Sequence, residues 1–325
     1  MCAILDIKQL SIEFQTQNQV IQAVKNLSLR LFEGETLAIV GESGCGKSVL
    51  CKSILNLLPH QHCRCSGEIQ YQEKNLLTLS EKQLTQIRGK EIAMIFQNPA
   101  SALNPTIPVG KQLVETIRVH QKISAVQAKQ LVFALLEQVG LKSECAIQYP
   151  YEFSGGMLQR IAIAAALMTN PRLFIADEPT TALDTVTQKQ ILELIQNVKK
   201  QHGCSVLLIS HHLGIVSQMA DRIAVMYAGK IVEIGTTSEI LYHACHPYTW
   251  LLLSCLPNVN SSYPISYHND TISKGDAFAP YNPYALRIDF EKEPPFFQLS
   301  DTHYAATWLL HPDAPKVSSP IISIE

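Results

Sequence analysis

Gly41-Glu42-Ser43-Gly44-Cys45-Gly46-Lys47-Ser48 follows the apolar run Thr36 to Val40 and precedes Val49 to Leu58, whose apolar spacing is helical and stops before Pro59. The local order is therefore strand, glycine-rich loop, helix. This is a complete Walker A pattern in the setting that its chemistry requires. Its glycines let consecutive backbone N–H groups curl round phosphate oxygens, the helix start adds a favourable dipole, and Lys47 offers a point charge to β and γ phosphates. Ser48 is placed to ligate Mg2+. Residues Gly41 to Ser48, with the adjoining Val49, are the expected nucleotide contacts.

Outward from the loop, Leu5 to Phe14 and Val24 to Leu31 alternate apolar and polar residues, and Gly67 to Tyr71 and Ile92 to Phe96 also read as strands. Asn98 to Glu152 turns helical, with Val114 to His120 and Ala125 to Val139 as the strongest segments between prolines 99, 105, 108 and 150. Strands and helices then alternate: Leu173 to Ala176, Thr187 to Lys200 as a helix, Val206 to Ser210 and Ile223 to Tyr227. Such alternation predicts an α/β core with a largely parallel sheet. Past about Pro257 the composition shifts to Ser, Asn, Tyr and Pro, which predicts an appended tail.

With 325 residues, 46% of them hydrophobic, the chain is long enough for one large domain and an appendage. A net charge of -2 from 26 basic and 28 acidic side chains gives no electrostatic reason to expect a nucleic-acid partner. Asp6 and Lys8 interrupt the stretch where a secretion signal would be apolar, and the longest apolar run, Ile161 to Met168, is far short of the roughly 18 residues of a membrane span. A chain soluble by itself is expected. Nine scattered cysteines suit reduced thiols better than a disulfide framework. His60, His62, Cys63 and Cys65 have ligand-like chemistry, but their spacing matches no familiar zinc pattern.

Leu173-Phe174-Ile175-Ala176-Asp177-Glu178 fits a Walker B strand, a buried apolar run that delivers two carboxylates. Asp177 would hold Mg2+ through its water shell and Glu178 would polarise the attacking water. Taken alone, the same residues also describe a strand followed by an acidic turn. Between the two Walker motifs stands Phe153-Ser154-Gly155-Gly156-Met157-Leu158-Gln159-Arg160, ahead of the helical run Ile161 to Met168. Here the sequence resembles the ABC ATPase family, whose signature is Ser-Gly-Gly at a helix start before Walker B.

The other family motifs follow in order. Gln97 matches the Q-loop, Ala182-Leu183-Asp184 the D-loop, and His211 the switch histidine. The resemblance implies a P-loop NTPase core with an N-terminal antiparallel β subdomain, and an inserted helical signature subdomain at about 98–165. The cassette spans 1–256 and a C-terminal extension 257–325. It assigns catalytic roles to Glu178, His211, Lys47 and Gln97, and a metal contact to Gln97 beside Ser48 and Asp177. Nucleotide contacts fall to Ser154, Gly155, Gly156 and Asp184. Phe14 is similar to the aromatic that stacks on adenine, although a core phenylalanine fits the same position.

Within the family, Phe96-Gln97-Asn98-Pro99-Ala100-Ser101-Ala102-Leu103-Asn104-Pro105, the Phe-Ser-Gly-Gly-Met signature, Thr180-Thr181-Ala182-Leu183-Asp184 and His246-Pro247-Tyr248-Thr249 resemble the oligopeptide, dipeptide and nickel importer group. Length and tail favour its peptide members. Two departures stand out. His212 occupies a position where the group usually has Asp. In the tail, Asp276, Asn282, Asp289 and Thr307 fall at what look like four cysteine positions, which in some relatives hold an iron-sulfur cluster. No cysteine follows Cys255, so no such cluster is expected.

The resemblance further implies ATP and Mg2+ as ligands, and a dimer in which Ser154 and Gly156 of one subunit meet ATP held by the other. The expected partners are a second related ATPase in a heterodimer, two membrane permeases gripped through Gln97 and the segment 98–152, and an extracytoplasmic substrate-binding protein. The expected location is the cytoplasmic face of the inner membrane. The competing classes are a soluble ABC protein of ribosomes or DNA, an exporter ATPase, a non-hydrolysing regulatory subunit, and an importer of nickel or another small solute. The first would carry two cassettes or a coiled-coil insertion. The importer-like Q-loop region disfavours the second, and Glu178 with His211 disfavours the third.

Overall fold

Thr36 to Val40 is buried at every position and pairs in parallel with Arg222–Tyr227, as a strand covered on both faces does. The computed structural model describes residues 2–17, 19–59, 61–181, 183–257, 259–264 and 274–324. Among them the strands, in chain order, are β1 (Ala3–Gln15), β2 (Val20–Phe32), β3 (Thr36–Val40), β4 (Cys63–Tyr71), β5 (Lys74–Asn75), β6 (Ile92–Ile95), β7 (Leu173–Asp177), β8 (Ser205–Ser210), β9 (Arg222–Tyr227), β10 (Lys230–Thr236), β11 (Val259–Ser261), β12 (Phe297–Gln298), β13 (Tyr304–Ala305) and β14 (Ile321–Ile324). The α-helices are α1 (Lys47–Ile54), α2 (Glu81–Ile87), α3 (Val109–His120), α4 (Ala125–Gln138), α5 (Gly155–Leu167), α6 (Thr185–His202), α7 (Leu213–Val216), α8 (Thr237–Tyr242), α9 (Pro247–Ser254) and α10 (Arg287–Glu291).

These elements form two compact units, one of residues 1–5, 31–35 and 71–209 and one of residues 6–30, 36–70 and 210–325. In the first, β6, β7 and β8 run parallel, with Ile92 opposite Leu173 and Leu173 opposite Ser205. β7 and β8 are buried throughout. Their apolar runs, Leu173 to Ala176 and Val206 to Ile209, are those expected of central parallel strands. α5 packs on β6 and α6, and α3 packs on α4. A reciprocal Ser124–Gln127 capping box starts α4, and Gly203 in the left-handed conformation ends α6.

In the second unit the strand order is β12, β13, β10, β9, β3, antiparallel except between β9 and β3. β2, β1 and β4 are neighbours in that order. Contacts from Gln9 to Ser28, Ser11 to Asn26 and Glu13 to Gln22 run in opposite directions along β1 and β2, the mark of an antiparallel pair. The protein is thus mixed α/β with an antiparallel N-terminal sheet, as the sequence predicts.

Several boundaries differ from the sequence expectation. The helix expected from Val49 begins at Lys47, and the one expected from Val114 begins at Val109, directly after Pro108. α5 starts at Gly155, six residues before its apolar run, because Ser154 caps it. The tail, expected as an appendage, adds β12 and β13 to β10 and pairs β14 with β11. It buries Phe278, Ala279 and Ala305 in the second unit. Among the described residues, no helix is long and apolar enough to cross a membrane.

Candidate active site

In the second unit, β3 runs into the glycine loop and α1 leaves it. Gly46 caps α1 at φ +109°, and a Cβ there would lie 2.2 Å from the Ala23 carbonyl oxygen, so glycine alone fits. Gly41 is pressed against β9, where a Cβ would come within 2.1 Å of the Met226 carbonyl oxygen. Lys47 is 3% exposed, and its Nζ donates to the carbonyls of Gly41 and Glu42, both at 2.8 Å. The ammonium is folded back on its own loop. Cys45 Sγ lies 3.7 Å from it, yet burial outweighs the cation and raises the thiol pKa. Ser48 and Val49 are half-buried in the first turn of α1.

The same unit holds Phe14, half-buried near the end of β1. It also holds His211, exposed just past β8, with its ring 4.3 Å from that of His212. His212 donates its N–H to Ser210 Oγ and precedes α7.

The first unit gathers the carboxylate end of β7. Asp177 is 2% exposed and Glu178 is 7% exposed. Glu178 takes a left-handed backbone, φ +46°, which costs a non-glycine residue about 1 kcal/mol. Its N–H donates to the Ile209 carbonyl at 3.0 Å, and its own carbonyl accepts from Thr181 N–H at 3.2 Å, so the neighbouring strand and the following turn hold the conformation. Gln97 Nε2 donates to Glu178 Oε2 at 3.0 Å and Thr181 Oγ1 donates to the same oxygen at 2.8 Å. Two donors therefore aim one carboxylate.

Ser154, exposed, accepts the Met157 N–H at the start of α5, so Gly155 and Gly156 form the first turn of that helix. Asp184 caps α6 through Thr187, whose hydroxyl and N–H hold its carboxyl below the usual range. Ala182 of the expected D-loop lies outside the described residues, as does His60 of the candidate metal cluster. Cys63 and Cys65 place their sulfurs 3.8 Å apart, and burial with the neighbouring thiol pushes Cys65 up to about 12. Among the described residues, no group of three or more His, Cys, Asp or Glu side chains could hold a metal ion.

The four tail positions are all buried: Asp276, Asn282, Asp289 and Thr307. Each spends an oxygen on a nearby backbone N–H, of Phe278, Tyr284, Leu286 and Leu309 in turn. With no thiolate among them, the four residues do not fit an iron-sulfur cluster. Burial, with Asp289 nearby, raises Asp276 to about 6, and burial also raises Asp289.

Two residues beside the motifs escape sequence reasoning. Thr181 braces Glu178, and Tyr248 accepts the Glu42 N–H at 2.9 Å. Both stand in stretches quoted for family resemblance, but nothing in their spacing marks a role.

The family described as ABC transporter matches residues 24–181, and the oligopeptide/dipeptide transporter C-terminal region matches residues 232–285. The chain is 51% identical to the oligopeptide transport ATP-binding protein OppD of Bacillus subtilis (strain 168), over 98% of this chain and 92% of that protein. It is 46% identical to the dipeptide transport ATP-binding protein DppD of Lactococcus lactis subsp. cremoris, over 97% and 93%. Among solved structures, the dimeric ATP-binding cassette MJ0796 in a post-hydrolysis state bound to ADP and Pi is similar with a TM-score of 0.66 at 27% identity, covering 72% of this chain and 98% of that one.

Proposed function

The chain belongs to the ABC transporter family, among its oligopeptide and dipeptide transport ATP-binding proteins, and from that premise we infer that it binds and hydrolyses ATP to power peptide import. The observation that carries the catalytic half is Glu178, a buried carboxylate on strained backbone, aimed by Gln97 and Thr181.

In the proposed reaction, residues Gly41 to Val49 hold the nucleotide phosphates. Lys47 exchanges the carbonyls of Gly41 and Glu42 for β- and γ-phosphate oxygens, a move of a pre-positioned charge. Glu178 accepts a proton from the attacking water as its oxygen bonds to the γ-phosphorus and the bond to the β-phosphate oxygen breaks, releasing ADP and phosphate. Gln97 and Thr181 hold Glu178 in place for that transfer. The oxygen donors of Ser48, Gln97 and buried Asp177 suit Mg2+, which when bound neutralises phosphate charge. His211 supplies a further polar contact to the γ-phosphate, and Phe14 stacks on the base.

Ser154, Gly155, Gly156 and Asp184 are proposed to act on ATP held by a partner subunit, and the dimer of MJ0796 supports a two-cassette assembly. Membership of the family implies membrane permease partners. We assign the grip on them to Gln97 and residues 98–152. A heterodimer with a related ATPase, a location at the cytoplasmic face of the membrane and delivery of substrate by an extracytoplasmic binding protein complete the proposal.

The test is reconstitution with the permeases, the companion ATPase and the binding protein in proteoliposomes. Peptide-stimulated phosphate release with uptake of labelled peptide is expected. Stimulation by nickel and not by peptides would replace the proposed substrate class.

A further inference from the structure

We propose that Tyr248 is a positioning residue for the phosphate loop, holding the Glu42 peptide that parks the Lys47 ammonium, and that the tail holds Tyr248 in turn. This rests on the assignment of nucleotide phosphates to residues 41–48.

The Glu42 residue is held at both ends. Its N–H donates to the Tyr248 hydroxyl at 2.9 Å, and its carbonyl accepts from Lys47 Nζ at 2.8 Å. Rotation at Glu42 would therefore displace the carbonyl that sets the resting place of the ammonium. Gly41, immediately before, is wedged against the Met226 carbonyl of β9. The loop entrance is thus clamped between a strand and one phenol.

Tyr248 is itself immobilised. It is fully buried, its ring lies 4.5 Å from Tyr227 and 5.3 Å from Phe278, and burial pushes its phenol well above the ordinary range, so the hydroxyl stays neutral. Its N–H donates to His246 Nδ1 at 3.0 Å at the start of α9. That helix start is fixed by Glu233, a fully buried β10 carboxylate that accepts the N–H groups of Cys245 and His246 and lies 2.9 Å from His303 Nε2. Phe278 and His303 belong to the tail. A continuous set of buried contacts therefore runs from the tail through α9 to the loop, all within one compact unit.

One backbone hydrogen bond is at stake, so its loss is expected to weaken Mg-ATP binding by about 3- to 10-fold. The experiment is calorimetric titration of the full-length chain with Mg-ATP, comparing wild type, Tyr248→Phe and Tyr227→Phe. Tyr227→Phe removes a hydroxyl from the same aromatic cluster without touching the Glu42 bond. Tyr248→Phe should bind more weakly while its melting temperature stays near wild type. In the assembled transporter its KM for ATP should rise with kcat unchanged. Tyr227→Phe should bind as wild type does. Wild-type affinity in Tyr248→Phe, or an equal loss in both variants, overturns the role of Tyr248. Failure of the wild-type chain to bind Mg-ATP would instead refute the nucleotide assignment. Hydrogen exchange of the Glu42 amide in the wild-type chain tests the anchor without any substitution. Protection supports it, and exchange at the rate of an exposed amide overturns it.

Discussion

At residues 41–48 the chain shapes its backbone with glycines and a buried lysine, whereas at residues 276–309 it caps N–H groups one at a time with the oxygens of Asp276, Asn282, Asp289 and Thr307. Both regions lie in the same compact unit, and Lys47 and the four tail residues are buried. In the proposed function the loop offers a positive charge and a helix start to nucleotide phosphates. Those four tail side chains instead turn an oxygen inward, onto an N–H of the tail's own turns. Substitution in the tail should therefore be read first in stability, and substitution in the loop in nucleotide affinity.

The sharpest form of that contrast is Phe278→Ala. Removing a fully buried ring that touches Tyr227, Tyr248 and His246 should cost about 3–5 kcal/mol of stability, seen as a lower denaturant midpoint. An unchanged midpoint would break the comparison by making the tail a passive appendage. Lys47→Ala should do the reverse. Its resting partners are two carbonyls of the loop, so affinity for Mg-ATP should fall by about 10- to 100-fold in a titration, with the fold intact. Equal affinity in that variant would remove the charge from the phosphate site.

The smallest effect is the most specific. Asp276 has its carboxyl raised to about 6 by burial, so the protonated form is the one that the folded tail prefers. Its contribution is fully present below the unfolded value near 4 and is lost as pH rises through about 6. Asp276→Asn keeps an oxygen for the Phe278 N–H and has no charge to bury. It should be more stable than wild type above pH 6 by about 1–3 kcal/mol, with the difference vanishing below pH 4. A pH-independent difference between the two would show that ionisation at residue 276 is not involved.

Legibility followed the same divide. The loop, the Walker B strand and the signature turn were all readable because each depends on residue types that the backbone geometry demands. Gly46 has no room for a Cβ, and Ser154 caps a helix that begins where its signature says. Gln97 could be named from motif order, but its bond to Glu178 and the left-handed backbone of Glu178 are products of tertiary packing. Thr181 and Tyr248 carry no periodicity or spacing that separates them from ordinary turn and core residues. The tail was legible as a composition shift past Pro257 and a loss of cysteines, and its internal contacts were not. Its oxygens bond to N–H groups a few residues away in irregular turns, a pattern that composition does not encode.

The most direct measurement is phosphate release by the assembled transporter carrying Glu178→Gln, at saturating Mg-ATP, with bound nucleotide quantified in the same sample. Retained ATP with turnover reduced by about 100-fold or more is the expected result, because the amide cannot take the proton from water. Hydrolysis at the wild-type rate would contradict the assignment of Glu178 and, with it, the chemistry proposed for this chain.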